Sequence, residues 1–410
     1  MFNLHLTAEQ LEFRDTVRDF VQNEVKPAAI DPKRLEPFEK PLLSDLLDYA
    51  SRMGLRTLSL SEAAGGAGAD TLTSCIVLEE LAAGDVDIAM ALGVTQGLAR
   101  TLFEDAMSDA QRNRYLARFT EEHNFHLALA AQAAGSGGWN YHREDADDSG
   151  EQPTAVKQSN GDWVIDGAFA FVPNAPIAQL FVVQAKAAAN TVAFLIPKGT
   201  AGLTVAEPGK AFTGTDGHPR ARWYHGTGSE VRLEKCRVAA DALLGKEGAR
   251  PVGPGHDARA EALVAAVNLG VGRAAYDAAV EYSKIRIQGG RPIIQHQSIG
   301  AILADVAIKL ELARTIIWKA AWTADNPDVV TDRSVSDLPL HTIARVYTAE
   351  AMHEATLSAA ECFGAMGVMR DMPLQKYVHD AFVFLNGSGH DSATKLGIAE
   401  ALAGYERAAA

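Results

Sequence analysis

Apolar positions recur at helical spacing from Thr7 to about Glu122. In the first segment Leu11, Phe13, Val17, Phe20 and Val21 make one face. Thr7 precedes it as an N-cap, with Gln10 three residues on in the capping-box position. Residues 75–81 and 88–102 predict further helices rich in small side chains, and Gly65, Gly66 and Gly68 read equally as a turn or a ligand loop. From about Phe125 to Gly245 the period shortens toward two. Strand-like runs stand at 126–130, 163–165, 180–184, 191–195 and 229–233, separated by Gly, Pro and Asn. The acidic stretch 143–152 between the first two predicts an exposed loop. Long helices return over 260–286, 298–324, 340–364 and 391–408, with a polar linker over 326–339.

Helices, then strands, then long helices, without βαβ alternation, argue against a doubly wound dinucleotide fold. The pattern predicts an α+β chain: a helical domain over 1–122, a β-domain over 123–245 and a helical bundle over 246–410. With 410 residues, 47% of them hydrophobic and 22% charged, the chain can bury cores for domains of this size. A net charge of −14 argues against nucleic acid as a main partner and leaves room for a local basic site. Cys75, Cys236 and Cys362 lie far apart without metal or redox spacing, the usage of a reducing compartment. The first 22 residues mix acids and bases unlike a signal peptide, and no run reaches the ~18 apolar residues of a membrane span. Cytoplasmic location is the expectation.

Several local stretches then carry a resemblance. They are Leu78-Glu79-Glu80-Leu81; Ala134-Gly135-Ser136; Gly161 to Gly167 followed by Asn174-Ala175; and Leu243-Leu244-Gly245-Lys246. Further on come Arg286-Ile287-Gln288-Gly289-Gly290-Arg291-Pro292-Ile293 with His296-Gln297, and Phe363-Gly364-Ala365-Met366-Gly367 with Arg370 to Leu374 and Asp380-Ala381. In this order they resemble the flavin-dependent acyl-CoA dehydrogenases over essentially the whole chain. The resemblance implies the fold of that family: N-terminal helices, a β-barrel-like middle domain and a C-terminal four-helix bundle. It also implies FAD as cofactor and an acyl-CoA thioester as substrate. Electron-transfer flavoprotein or another acceptor would take the electrons, and the assembly would be a homo- or hetero-tetramer.

Carried over residue by residue, the resemblance gives Arg286, Gln288 and Gly290 the role of reaching the FAD pyrophosphate of a neighbouring subunit. The alternative is that Arg286 merely ends a helix, where a cation suits the dipole. Gly364 approaches the same cofactor. Gly289 stands where the family has Phe, and Glu361 where it has Gln. Ser136 remains with Gly135 in a flavin loop where Ala130, Ala131, Gln132 and Gly137 stand for the family's Thr, Glu, Pro and Asp. Phe171 stands at the aromatic packed on the flavin, or is a core aromatic. Pro173 replaces a hydroxyl residue near flavin N5 and offers neither O–H nor N–H. Asn174 follows it, and His390 and Ser392 fall at cofactor contacts beyond the catalytic stretch.

The family's catalytic glutamate is missing. Without a gap its position falls on Ser388; shifted by two it falls on Asn386. The alternative glutamate of some members, on the first helix after the β-domain, matches Ala260. Glu261 is adjacent, rotated by about 100° on a helix. Glu261, His390 and Asp391 are the candidate bases, His390 by virtue of its ordinary titration range. Thr95 and Gln96 are candidates for the acyl pocket, whereas Asp85 and Asp87 read as helix-start acids. Three functions remain open: α,β-dehydrogenation of an acyl-CoA with a relocated base; elimination or flavin-dependent hydroxylation on the same scaffold; and a non-catalytic or half-site subunit of a heteromer.

Overall fold

A computed structural model describes residues 5–31, 42–131, 153–188, 190–207, 224–245, 257–369, 371–387 and 392–403. The N-terminal helices are α1 (Ala8–Phe20), α2 (Lys26–Ala29), α3 (Ser44–Arg52), α4 (Thr71–Gly84), α5 (Val86–Arg100) and α6 (Asp109–Glu121). The capping box at Thr7 and Gln10 forms, each side chain bonding the other's backbone N–H. A second one opens α6 at Ser108 and Gln111. Of the three glycines before α4, Gly66 has the clearest steric reason: a Cβ there would sit 2.2 Å from the Leu60 carbonyl oxygen.

Among the described residues eight strands follow: β1 (His126–Ala130), β2 (Thr154–Lys157), β3 (Trp163–Pro173), β4 (Ala178–Ala187), β5 (Asn190–Pro197), β6 (Leu203–Val205), β7 (Gly228–Val238) and β8 (Leu243–Leu244). They form one mixed sheet in the order β6-β7-β3-β2-β4-β5-β8, with β1 added parallel to β4. The period-two runs find β1, β3, β4, β5 and β7; β2, β6 and β8 are short and carry too few residues for a period to show. Residues 143–152 lie outside the described residues.

The C-terminal part holds α7 (Ala258–Ile285), a hairpin of β9 (Ile287–Gln288) and β10 (Arg291–Pro292), α8 (Gln297–Asp325), α9 (Asp328–Thr331), α10 (Leu340–Glu361), α11 (Leu374–Gly387) and α12 (Ser392–Ala403). The helix that completes the four-helix bundle differs from the one the sequence predicts. α11 packs on both α7 and α10, whereas α12 touches mainly α10. The 326–339 linker contains the single turn α9.

α4 is buried along its whole length and joins the two helical parts into one core, with Leu78 and Leu81 packed among Ala262, Leu269 and Leu310. A helix buried all round must neutralise its charges internally. Glu79 takes two bonds from Arg314, at 2.8 and 3.3 Å. Glu80 takes two from Arg273, at 2.7 and 2.8 Å, and two from Arg18, at 2.6 and 3.2 Å. Burial alone would raise the Glu80 carboxyl, but the hydrogen bonds from Arg273 and Arg18 outweigh it and hold it below the ordinary range. α7 is long and apolar enough to cross a membrane, yet 67% of its apolar window is buried inside the protein, as a core helix should be.

Candidate active site

The chemistry-bearing positions fall on β3, on the two ends of the bundle helices and on the start of α5. On β3 a register shift between Phe169 and Val172 interrupts the alternation. Phe169 and Val172 are therefore both buried, while Phe171 and Pro173 are half-exposed. The Phe171 ring rests against Tyr224 at 4.8 Å. It also lies directly over Gly228, where a Cβ would come within 2.2 Å of it. Gly228 is the register partner of Pro173, so the bare backbone of β7 makes room for the aromatic wall.

Asn174 is placed differently from a cofactor contact. It is buried, in the left-handed region at φ 63°, and its amide nitrogen lies 2.8 Å from the Ala91 carbonyl, 3.2 Å from Thr95 Oγ1 and 3.3 Å from the Leu127 carbonyl. Its donors are spent tying β3 to α5 and β1. Thr95 sits at the centre of this junction, with His126 Nδ1 3.3 Å away. The His126 ring is almost fully buried, and burial together with nearby Arg56 lowers its pKa to about 3.

At the end of α7 the hairpin turns through Gly289 and Gly290, both at positive φ (61° and 80°), as a two-residue primed turn requires. Gly289 has a second reason to lack a side chain: His296 occupies the adjoining space, 3.3 Å from where a Cβ would stand. The His296 Nε2 lies 3.0 Å from the Gln288 carbonyl and holds the hairpin shut. Arg286 caps α7 through its backbone, and its exposed guanidinium makes no hydrogen bond or ion pair among the described residues. Gln288 and Gly290 are exposed beside it. Across the bundle, Glu361 ends α10 in an exposed position, and Gly364 at φ 55° has open space around the place of a Cβ.

Of the candidate bases, the structure places Glu261. It is 3% exposed on the first turn of α7, and its carboxylate lies 2.6 Å from the Arg345 guanidinium of α10. Arg345 also reaches Thr394 Oγ1 of α12 at 3.4 Å. Ala260, one residue earlier, faces a different way, toward Gly97 of α5. Ser136, Ser388, His390 and Asp391 lie outside the described residues, and Ser392 opens α12 with its side chain outside them.

One cluster escaped the sequence reading. Lys376 and Asp380, one turn apart on α11, pair at 2.6 Å while almost fully buried. His225 Nε2 lies 2.9 Å from the Asp380 carbonyl, its ring stacks on Phe384 at 4.4 Å, and its Nδ1 is 4.0 Å from Asp87 Oδ1. Asp87 in turn accepts the Gly226 N–H at 2.9 Å, and Asp85 caps α5 as expected, accepting from the N–H groups of Asp87 and Ile88. Burial would lower the Lys376 ammonium, but Asp380, Asp85 and Asp87 outweigh it and raise it. The (i, i+4) spacing of Lys376 and Asp380 was the available signal. Together these contacts bolt α11 to the starts of α5 and β7, just before the connector 388–391.

Three domain models match this chain: the acyl-CoA dehydrogenase N-terminal domain over residues 7–123, the middle domain over 145–225 and the C-terminal domain over 259–403. The chain belongs to the acyl-CoA dehydrogenase family. An acyl-CoA dehydrogenase of Bacillus subtilis is 27% identical over 98% of this chain and 100% of its own. A short-chain specific acyl-CoA dehydrogenase of Megasphaera elsdenii is 26% identical over 92% of this chain and 94% of its own. The solved butyryl-CoA dehydrogenase of Megasphaera elsdenii superposes with a TM-score of 0.81 at 25% identity, covering 98% and 100% of the two chains. This is a family of FAD-dependent enzymes. The residues present fit that cofactor: a guanidinium without a partner among the described residues suits a pyrophosphate, open glycine backbone at 290 and 364 permits close approach, and Phe171 with Tyr224 offers an aromatic wall. Pro173 removes one polar contact from that wall without closing it.

Proposed function

We propose that this protein is an FAD-dependent enzyme that introduces a Cα–Cβ double bond into an acyl-CoA thioester, with a proton acceptor other than the family's usual glutamate. The observation that carries the reading is the free, exposed Arg286 guanidinium on an intact glycine hairpin, within the family fold along the whole chain. Arg286, with Gln288 and the Gly290 backbone, would hold the pyrophosphate of a neighbouring subunit, and Phe171 would pack on the ring system. FAD, when bound, supplies the hydride acceptor. The α-proton must then go to a base of the chain. Glu261 is committed to Arg345 and turned away from α5, so it serves here as a structural anion. The base is then His390 or Asp391, which follow α11 in the sequence. The reading further takes a cytoplasmic tetramer that passes electrons to an electron-transfer flavoprotein or comparable acceptor.

Incubation of the purified protein with hexanoyl-CoA and an artificial electron acceptor tests this. The expected product is the thioester lighter by two hydrogen atoms, detected by mass spectrometry. An unchanged thioester in the presence of bound flavin contradicts it. Pro173 and Glu361 favour a second reading, a half-site subunit whose Arg286 serves a different partner chain. That reading requires flavin to be absent from the chain alone and restored by the partner.

A further inference from the structure

Beneath α5, where it meets α4 and α7, lies a small, partly open pocket of about 20 Å³, lined by Ser59, Thr71, Ser74, Gln96, Arg100 and Arg259, among others. Two of these carry unspent polar atoms. Ser74 and Gln96 are each 1% exposed, and Ser74 Oγ and Gln96 Oε1 have no hydrogen-bond partner among the described residues. Gln96 is oriented unambiguously, because its Nε2 must donate to the Leu55 carbonyl at 2.5 Å, which leaves Oε1 as the free end. A buried polar atom without a partner is costly, so two at one cavity mark a place where something polar belongs.

The wall of the cavity points the same way. Gly97 lines it from the interior of α5, where glycine is about 1 kcal/mol worse than alanine. No contact demands that glycine: a Cβ there would meet Ala260 Cβ at 3.5 Å and Leu263 Cδ1 at 3.8 Å, ordinary van der Waals distances. Ala260 is the position matching the alternative base of some family members, so this face of α5 adjoins the place of the reacting carbons. The missing methyl group leaves room for about one carbon atom between Gly97 and Ala260.

Charge decides what kind of group fits. The two guanidiniums are already matched: Asp325 Oδ1 accepts from Arg259 at 3.0 Å and Arg100 at 3.3 Å, and Arg100 lies 3.8 Å from Glu104. An anion has no spare cation to meet. A neutral hydroxyl does meet both orphans, donating its proton to Gln96 Oε1 and accepting one from Ser74 Oγ. We infer that the acyl group this site takes carries a hydroxyl on its distal part, read by Gln96 and Ser74 beneath Gly97. The inference rests on the proposed acyl-CoA site and names its substrate class.

Calorimetric titration of the flavin-loaded protein with hexanoyl-CoA, 5-hydroxyhexanoyl-CoA, 6-hydroxyhexanoyl-CoA and adipoyl-CoA tests it, with flavin bleaching recorded alongside. One of the hydroxylated thioesters is expected to bind about tenfold tighter than hexanoyl-CoA, the worth of one good hydrogen bond. Ser74→Ala, which removes only a hydroxyl, should shrink that ratio to about threefold or less. Gly97→Ala, which fits without a clash, should shrink it likewise. Equal binding of hexanoyl-CoA, with normal bleaching, overturns the inference: the cavity then holds a water molecule, and the proposed function stands. Tighter binding of adipoyl-CoA than of either hydroxylated form overturns it in favour of an anionic end. No binding and no bleaching by any of the four overturns the proposed function, and this inference with it.

Discussion

Lys376 Nζ lies 2.6 Å from Asp380 Oδ2 inside α11, with both side chains about 3% exposed. An ammonium so placed survives only because Asp380, Asp85 and Asp87 surround it. The same carboxylates help to fix α11 against the starts of α5 and β7.

Removing either charge alone leaves the others uncompensated. Lys376→Met and Asp380→Asn should each cost about 3–5 kcal/mol in chemical denaturation. The double replacement Lys376→Met with Asp380→Leu should recover part of that loss, because two apolar side chains of similar volume need no partners.

His126 predicts an acid limit to stability. Its folded pKa of about 3 lies below the ordinary 6.5, so between these values the unfolded chain binds the proton and the folded chain does not. Stability contributed by the neutral ring is complete above about pH 6.5 and falls toward pH 3, by up to about 1.4 kcal/mol per pH unit. Glu80 adds to the acid end: its lowered pKa gives stability present above its unfolded value and lost as pH falls through the folded one. Urea midpoints measured from pH 7 to pH 4 should drop for the wild type. His126→Asn, which cannot titrate, should show a shallower slope over the same range.

Glu261 and the connector separate stability from catalysis. Glu261→Gln leaves Arg345 without its anion and should cost about 3–5 kcal/mol of stability. Per folded molecule, it should leave flavin reduction by substrate within about threefold of the wild type. One of His390→Ala and Asp391→Asn should do the reverse, lowering the rate of reduction by about 10²–10⁴ with stability unchanged. Stopped-flow reduction of folded, flavin-loaded variants distinguishes the two patterns.

Arg286 is exposed and makes no side-chain bond among the described residues, so Arg286→Ala should leave the melting temperature of the apoprotein unchanged. The same change should weaken FAD binding by about 10–100-fold, the worth of a charge-assisted contact to phosphate. Arg286→Lys should recover only part of this, since an ammonium cannot bond bidentately.

Local signals foretold local structure. The capping box at Thr7 and Gln10 stood in the sequence and stands in the fold, and the run 75–81 announced a helix that α4 forms. α11 was hidden because Lys376 and Asp380 occupy buried positions that a hydrophobic pattern would leave to apolar residues. At the site, motif order brought Phe171, Arg286 and Gly364 forward. It could not show that the Asn174 amide is spent on Ala91, Thr95 and Leu127, 83, 79 and 47 positions away. Nor could it show that Glu261 is held by Arg345, 84 positions on. Such pairings depend on how separate helices and strands dock, and no periodicity records them.

The most direct test of the account is the visible spectrum of the protein purified alone, recorded before and after anaerobic addition of acyl-CoA. The account predicts a bound flavin whose long-wavelength band bleaches when a substrate thioester is added, with no acceptor present. A bound flavin that no thioester bleaches, or a chain that holds no flavin even when FAD is supplied, would contradict it.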